Sequence, residues 1–317
     1  MAFDSCGPSA PPRLFPKTAV VILLAGLLAA NPRFAQASPA TFVTALPVAQ
    51  SQALLRLNWD TAYGGQNFTG LQFPIDLAYG LNAKWTIFTT YTPMHSSIRT
   101  QAPSGGETVA GGGMGDTLAF IRYTLFSRDS PKSTARLAPL AGLSLPSGSN
   151  TLHNAAGLLP GPIQTGSGAV APYAGVAFGL NNAAYGFAAD STIRANPITR
   201  TGVSPGDQFR ADGQAELRLT PRTLPDYGLP KELWISIEEN YQHDALSHTA
   251  GRISPGSGGQ SFYQDAVLEF ATLHYEVGAG LQLPLWQDLN SPEDVREDRQ
   301  VLFFTEYYFS GFMRHRP

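Results

Sequence analysis

Polar and apolar residues alternate without interruption along residues 208–220, and this pattern constrains the fold more than any other feature of the sequence. The polar series begins at Gln208 and the apolar series at Phe209. A period of two predicts a β-strand with one face in a polar environment and the other in an apolar one. The same alternation recurs in 54–63 and 71–79, so the chain is predicted to be all-β.

Continuing this pattern along the chain predicts about twelve strands. Most have the length of a tilted membrane-spanning strand, and their even number places both chain ends on one side of a membrane. The predicted strands are 52–62, 70–79, 84–93, 115–126, 135–146, 168–180, 184–195, 207–219, 232–243, 263–272, 277–286 and 299–309.

The predicted connections alternate in length, as the two ends of a membrane barrel require. Those after odd-numbered strands include the long loops 94–114, 147–167 and 244–262, which are rich in Gly, Ser and Pro. Those after even-numbered strands are mostly short. The connections 63–69 and 220–231 do not fit this alternation.

No segment after the N-terminal region approaches 18 consecutive apolar residues, so a membrane-spanning chain must close its strands into a barrel. We therefore predict a transmembrane antiparallel β-barrel over 38–317, in the outer membrane of a Gram-negative bacterium. A secreted soluble β-sandwich alternates in the same way but buries its apolar face between two sheets. The even strand number, the loop lengths and the aromatic residues near strand ends favour the barrel.

Residues 1–37 have the features of a secretory signal peptide. Basic residues precede the apolar run 18–30, and Ala35-Gln36-Ala37 is a site that signal peptidase accepts. The run is too short to span a bilayer as a helix, although an uncleaved anchor is the alternative. Cleavage would start the mature chain at Ser38.

Charge and cysteine content exclude two classes of function. Removing Arg13, Lys17 and Arg33 from 21 basic residues, and Asp4 from 24 acidic ones, leaves a net charge of −5. This weak acidic bias argues against a nucleic-acid partner. The single cysteine, Cys6, would leave with the signal peptide, so neither a disulfide nor thiol chemistry is predicted for the mature chain.

The last predicted strand carries a sorting pattern on one face. Val301, Phe303, Thr305, Tyr307 and Phe309 share that face, and this aromatic-ended series resembles the C-terminal signal that the barrel-insertion machinery reads. Outer-membrane lipids and that machinery are therefore predicted partners. Residues 310–317 follow the strand, whereas the signal usually ends at a terminal Phe.

If the apolar strand faces meet lipid, the polar faces line a lumen. Their mixed charges predict no strong ion selectivity. They could form a polar passage or constriction, or pair with one another and keep a narrow barrel closed, and the sequence leaves both alternatives open. The predicted lumen-lining residues are Arg56, Asp60, Asp76, Asp116, Arg122, Asp190, Arg194, Arg210, Asp212, Glu216, Arg218, Glu238, Glu269 and Glu306.

The sequence contains no recognisable motif for catalysis, metal binding or cofactor binding. A lipid-acting barrel hydrolase would need Ser, His and Asn or Asp within hydrogen-bonding reach. His95 and His153 lie in predicted loops, while His243, His248 and His274 lack the spacing of a metal-binding pair. The Gly-rich segments lack the Lys-Ser/Thr ending of phosphate loops. We predict no catalytic residue, no metal and no cofactor.

Glu239 is an exception to the pattern, because it falls on the apolar face of its strand between Ile237 and Tyr241. It could lie near the lipid headgroups or mark a bulge. The sequence does not decide between these positions.

Three segments resemble the "MetA-pathway of phenol degradation" family of outer-membrane proteins. They are 111–123 (GGGMGDTLAFIRY), 143–148 (LSLPSG) and 281–286 (LQLPLW). The resemblance implies a transport-associated barrel, found in some cases near degradation pathways for aromatic compounds. The expected function is passive passage of small solutes, aromatic or hydrophobic ones included. The alternatives are a closed structural or adhesive barrel and a lipid-acting outer-membrane enzyme.

Overall fold

The computed structural model describes residues 39–42, 44–46, 48–100, 107–130, 133–223, 231–272, 274–290 and 296–310. The predicted signal peptide lies outside these residues. The strands in chain order are β1 Gln52–Gly64, β2 Phe68–Gln72, β3 Ile75–Gly80, β4 Trp85–Tyr91, β5 Pro93–Thr100, β6 Glu107–Met114, β7 Thr117–Tyr123, β8 Phe126–Asp129, β9 Ser133–Leu145, β10 His153–Asn154, β11 Gly157–Leu158, β12 Ala171–Asn182, β13 Tyr185–Arg194, β14 Val203–Ser204, β15 Gln208–Thr220, β16 Glu232–Asp244, β17 His248–Thr249, β18 Arg252–Ile253, β19 Gly259–Ala271, β20 Tyr275–Leu289 and β21 Glu297–Ser310. Two short 3-10 helices cover Gly65–Asn67 and Gly161–Ile163.

Sixteen of these strands form a single antiparallel sheet that closes on itself. Closure joins the first strand to the last, since β1 pairs with β21 from Gln52 opposite Ser310 to Gly64 opposite Glu297. Short breaks divide some wall strands into pieces: β2 continues into β3, β4 into β5, and β6 into β7 and β8. The closed sheet is therefore the predicted barrel of twelve wall strands, which is confirmed.

The distribution of exposed side chains is the reverse of that in a soluble protein. Trp59 and Ile237 are 52% and 51% exposed on the outer face, whereas Glu238 and Glu269 are fully buried inside. A surface of large apolar side chains around a polar interior is what a lipid-facing wall requires. This arrangement excludes the β-sandwich alternative. No helix among the described residues has the length and hydropathy of a membrane span.

One predicted loop is wrong, because most of 94–114 forms the β5–β6 hairpin. The sequence conceals this hairpin because His95, Ser97 and Gly112 occupy outward positions where the other strands place large apolar residues. The other two long predicted loops, 147–167 and 244–262, contain the short strands β10, β11, β17 and β18. β10 and β11 form a two-stranded sheet, and β17 and β18 form a three-stranded sheet with β14.

β6 is the extracellular part of its wall strand, and it pairs only with β5. Its other edge has no strand partner among the described residues. Pro146 follows β9 directly and cannot donate to a ladder, which ends the pairing there. Ile163 packs against this region with Ile98 and Val109, and Leu152 joins the cluster. The loop after β9 therefore packs an apolar cluster against the inner face of β5 and β6.

Candidate functional site in the barrel lumen

A segment ahead of β1 lies inside the lumen. We call the described residues of 39–50 the N-terminal strap. The backbone N–H of Ala40 donates to Glu238 Oε1 at 2.6 Å, and the Thr41 hydroxyl donates to Glu238 Oε2 at 2.7 Å. The same hydroxyl lies 2.8 Å from Asn240 Oδ1. One end of the strap is thus fixed to the inner face of β16.

Two predicted lumen residues hold the strap from other walls. Arg56 in β1 donates to the carbonyl oxygen of Ala40 at 3.2 Å. Arg122 in β7 donates from its guanidinium to the carbonyl oxygens of Thr44 and Leu46. Charge-assisted bonds of this kind are stronger than neutral ones, so Arg56, Arg122 and the Glu238 carboxylate are the main polar anchors of the strap.

The strap crosses from one wall to another. Ala45 packs with Ala138 of β9 and Ala177 of β12, and all three are fully buried. Next to β1, Gln50 bridges to Gly80 of β3. A Cβ at Gly80 would overlap the carbonyl oxygens of Val48 and Ala49, so this close approach requires glycine. Contacts with six wall strands place the strap across the lumen.

Other predicted residues form a network on the inner face near β1. Arg56 lies 3.7 Å from Glu306 and stacks over the ring of Phe304 at 4.0 Å. Asp76 accepts hydrogen bonds from Asn58 at 2.8 Å and from Thr90 at 2.6 Å. Asp60 follows on the same face of β1, opposite Leu302 of β21.

A second group lies toward the periplasmic ends of β15, β16 and β19. Arg218 lies 3.6 Å from Glu232, which accepts a hydrogen bond from the indole of Trp234 at 3.0 Å. Glu269 accepts a hydrogen bond from Ser236 at 2.8 Å, and Glu216 lies opposite Ser236 on the neighbouring strand. All of these side chains are buried.

A third group lies in the extracellular half of the wall. Asp190 of β13 is directly opposite Asp212 of β15, and Thr192 is opposite Arg210. Arg194 donates to Gln208 at the top of the same pair of strands.

Asp116 differs from the other predicted lumen residues. It lies in the break between β6 and β7, and its carboxylate accepts hydrogen bonds from the Ser167 N–H at 2.8 Å and hydroxyl at 2.5 Å. A third bond comes from the Gly148 N–H at 3.1 Å. Asp116 therefore ties both ends of the loop after β9 to the wall.

Sequence reasoning missed several inward-facing carboxylates. Asp265 shares the polar face of Glu269, and Glu232 shares that of Glu238, so the alternation itself could have identified both. Glu276 lies one residue before the predicted start of its strand. The strap was also missed, because 39–50 shows neither alternation nor a motif.

The carboxylates that face the lumen outnumber the guanidinium groups in the described wall. The predicted set already contained nine carboxylates against five arginines, and the described wall adds further carboxylates. The carboxylates are Asp60, Asp76, Asp190, Asp212, Glu216, Glu232, Glu238, Asp244, Asp265, Glu269, Glu276 and Glu306, and the guanidinium groups are those of Arg56, Arg122, Arg194, Arg210 and Arg218. No group of three or more His, Cys, Asp or Glu among the described residues is arranged to hold a metal ion.

Aromatic side chains line part of the lumen beside the strap. Phe88 of β4 stacks on Phe120 of β7 with ring centroids 4.8 Å apart and an interplanar angle of 3°. Tyr173 of β12 lies 5.6 Å from Phe120, and the guanidinium of Arg122 lies 4.7 Å above the ring of Phe88. The inner wall therefore offers an aromatic face as well as a charged one.

The fold is similar to that of an outer membrane channel from Pseudomonas putida F1, with a TM-score of 0.59 and 13% sequence identity over 86% of this chain and 100% of that chain. The chain is a transmembrane β-barrel. At this identity the likeness supports the fold alone. No protein-family model and no curated protein matches the sequence.

Two other barrels are less similar. The NanC porin has a TM-score of 0.44 and 8% identity over 80% of this chain and 98% of its own. The CymD monoaromatic hydrocarbon channel has a TM-score of 0.40 and 11% identity over 84% of this chain and 90% of its own. At these TM-scores neither likeness bears on the function of this chain.

Proposed function

We propose that this protein is an outer-membrane channel for passive passage of small solutes through its lumen, and that it has no catalytic role and no cofactor. The observation that carries the proposal is a closed barrel whose polar lumen is crossed by a strap held through a few hydrogen bonds. A lumen packed as a continuous apolar core would be shut permanently, whereas a strap bound in this way can be displaced.

Aromatic and hydrophobic solutes belong to the proposed range. The Phe88–Phe120–Tyr173 face supports this, because flat rings stack favourably on aromatic side chains. We also propose membership of the phenol-degradation family, supported by the three segments quoted above. Outer-membrane lipids and the barrel-insertion machinery remain the proposed partners.

Planar-bilayer recordings and liposome solute-flux measurements test the proposal. Protein that is shown to be folded by heat-modifiable gel migration is expected to give stepwise currents and to admit small solutes. Folded protein that gives neither current nor flux would contradict a channel.

A closed structural barrel is the second candidate, favoured by the strap and by the apolar cluster that packs against the inner face of β5 and β6. Solute uptake by a deletion strain separates the two functions. A channel restores uptake when it is supplied on a plasmid, whereas a closed barrel leaves uptake unchanged.

The excess of inward carboxylates predicts a preference for cations in any current that passes. Asp212→Asn removes a half-buried carboxylate from the extracellular half of the lumen and is expected to lower the cation-to-anion permeability ratio. Reversal potentials in a salt gradient measure that ratio. Asp129→Asn, on the exposed periplasmic hairpin, serves as the control and is expected to change it less. An anion-selective wild type would contradict this prediction.

A further inference from the structure

A polar pair lies on the outer wall, where the proposed channel has no use for it. Glu239 of β16 and Gln264 of β19 are directly opposite each other. Both point outward, since Glu238 and Asp265 beside them are fully buried on the inner face. Neither side chain has a hydrogen-bond or ion-pair partner among the described residues.

The pair lies within the apolar belt. Glu239 is flanked along β16 by Ile237, which is 51% exposed, and by Tyr241. Tyr241 is opposite Phe262, so an aromatic row lies one outward position above the pair. Glu239 and Tyr241 are two residues apart on a tilted strand, so their depths in the membrane differ by about 5 Å. The Glu239 carboxylate therefore lies at the edge of the hydrocarbon layer.

An ionisable side chain at that depth is costly unless a polar partner meets it. Within this chain the adjacent candidate is Gln264, and no bond joins the two. A polar group that approaches from the membrane side would supply the missing hydrogen bond.

The neighbouring wall surface allows a close approach. Gly213 is opposite Glu239 on the other side, and a Cβ placed on Gly213 would meet only the Ala188 carbonyl oxygen, at 4.0 Å. Small outward residues let two membrane-spanning segments come into contact. Those around the pair are Ala189, Ala211, Gly213, Ala215 and Ala266.

We propose that this face binds a second copy of the same chain. A two-fold axis along the membrane normal keeps every residue at the same depth in both copies. It also sets the β16 side of one wall against the β19 side of the other. Glu239 of one copy then meets Gln264 of the other, and the reverse pairing forms at the same time. Each carboxylate accepts a hydrogen bond from an amide, so the surface is complementary to itself.

Sedimentation of the folded protein, in detergent and in nanodiscs, tests the interface. The wild type is expected to show a dimer fraction that rises with the ratio of protein to detergent. Gln264→Glu sets carboxylate against carboxylate and is expected to lower the association constant by at least about tenfold. The double variant Glu239→Gln/Gln264→Glu again pairs a carboxylate with an amide and is expected to recover association.

Thiol cross-linking in membranes gives an independent measurement, because the only cysteine in the sequence, Cys6, lies in the predicted signal peptide. Ala266→Cys, beside the pair, is expected to yield a cross-linked dimer with a short bis-maleimide. Ala141→Cys, an exposed outward position on β9, is expected to yield none.

Three results would overturn the proposal. The wild type could stay monomeric at every ratio, or Gln264→Glu could associate as well as the wild type. Native mass spectrometry could instead show a folded monomer that retains a lipid, and loses it in Glu239→Leu, which would assign the pair to a lipid headgroup.

Discussion

Deleting residues 39–48 from the mature chain is expected to raise single-channel conductance several-fold. The deletion removes every strap residue that bonds to Glu238, Arg56 or Arg122, while it keeps the predicted cleavage site and the whole of β1. The wall itself needs none of these contacts to close, because β1 pairs with β21 and only one edge of β6 lacks a strand partner among the described residues. Planar-bilayer recordings of the two proteins measure the difference.

A point variant provides a milder form of the same test. Arg122→Ala removes the donor to the Thr44 and Leu46 carbonyls and is expected to produce frequent openings toward the conductance of the deletion variant. Arg136→Ala is the matched control, because Arg136 pairs with Asp129 at 2.7 Å in the periplasmic hairpin. If neither the deletion nor Arg122→Ala alters the current, the strap does not close the lumen.

The second large effect concerns two consecutive residues of β20 that face opposite sides of the wall. Leu281 is 43% exposed on the lipid-facing side, midway along its strand. Leu281→Arg is expected to reduce the free energy of unfolding by about 2–4 kcal/mol, since a guanidinium there has to enter hydrocarbon. Urea titration of the protein folded into lipid vesicles measures this change.

Gln282→Arg introduces the same charge on the inner face. Gln282 donates to Asp265 at 3.1 Å, and Asp265 Oδ1 has no hydrogen-bond partner among the described residues. An arginine there gains a carboxylate partner, so it is expected to be far less destabilising than Leu281→Arg. Equal losses from both substitutions would mean that the two faces are not the lipid and lumen faces.

The strands were predictable wherever one side of the wall meets lipid. In 208–220 the lipid-facing series is apolar throughout, and the predicted strand agrees with β15 to within one residue at each end. In β5 and β6 that contrast is missing, because outward positions hold residues such as His95 and Gly112. Alternation then gives no signal, although the backbone still pairs.

The lumen residues were predictable in part for the same reason. The parity that identified Glu238 and Glu269 also contains Asp265, so its omission was avoidable. The strap was not predictable, since it binds largely through the backbone groups of Ala40, Thr44 and Leu46, which every sequence possesses. Asp116 could be placed near a strand end, but its loop partners Ser167 and Gly148 follow only from the folded chain.

The seam between β1 and β21 also governs the order of folding. It joins the two strands that are farthest apart in the chain, so it carries the largest loop-closure entropy of any pairing in the wall. Until β21 pairs with it, β1 presents an unsatisfied edge to any neighbouring chain. Formation of the ring is therefore expected to be the slow step of assembly, and strand exchange between unfinished copies its characteristic failure.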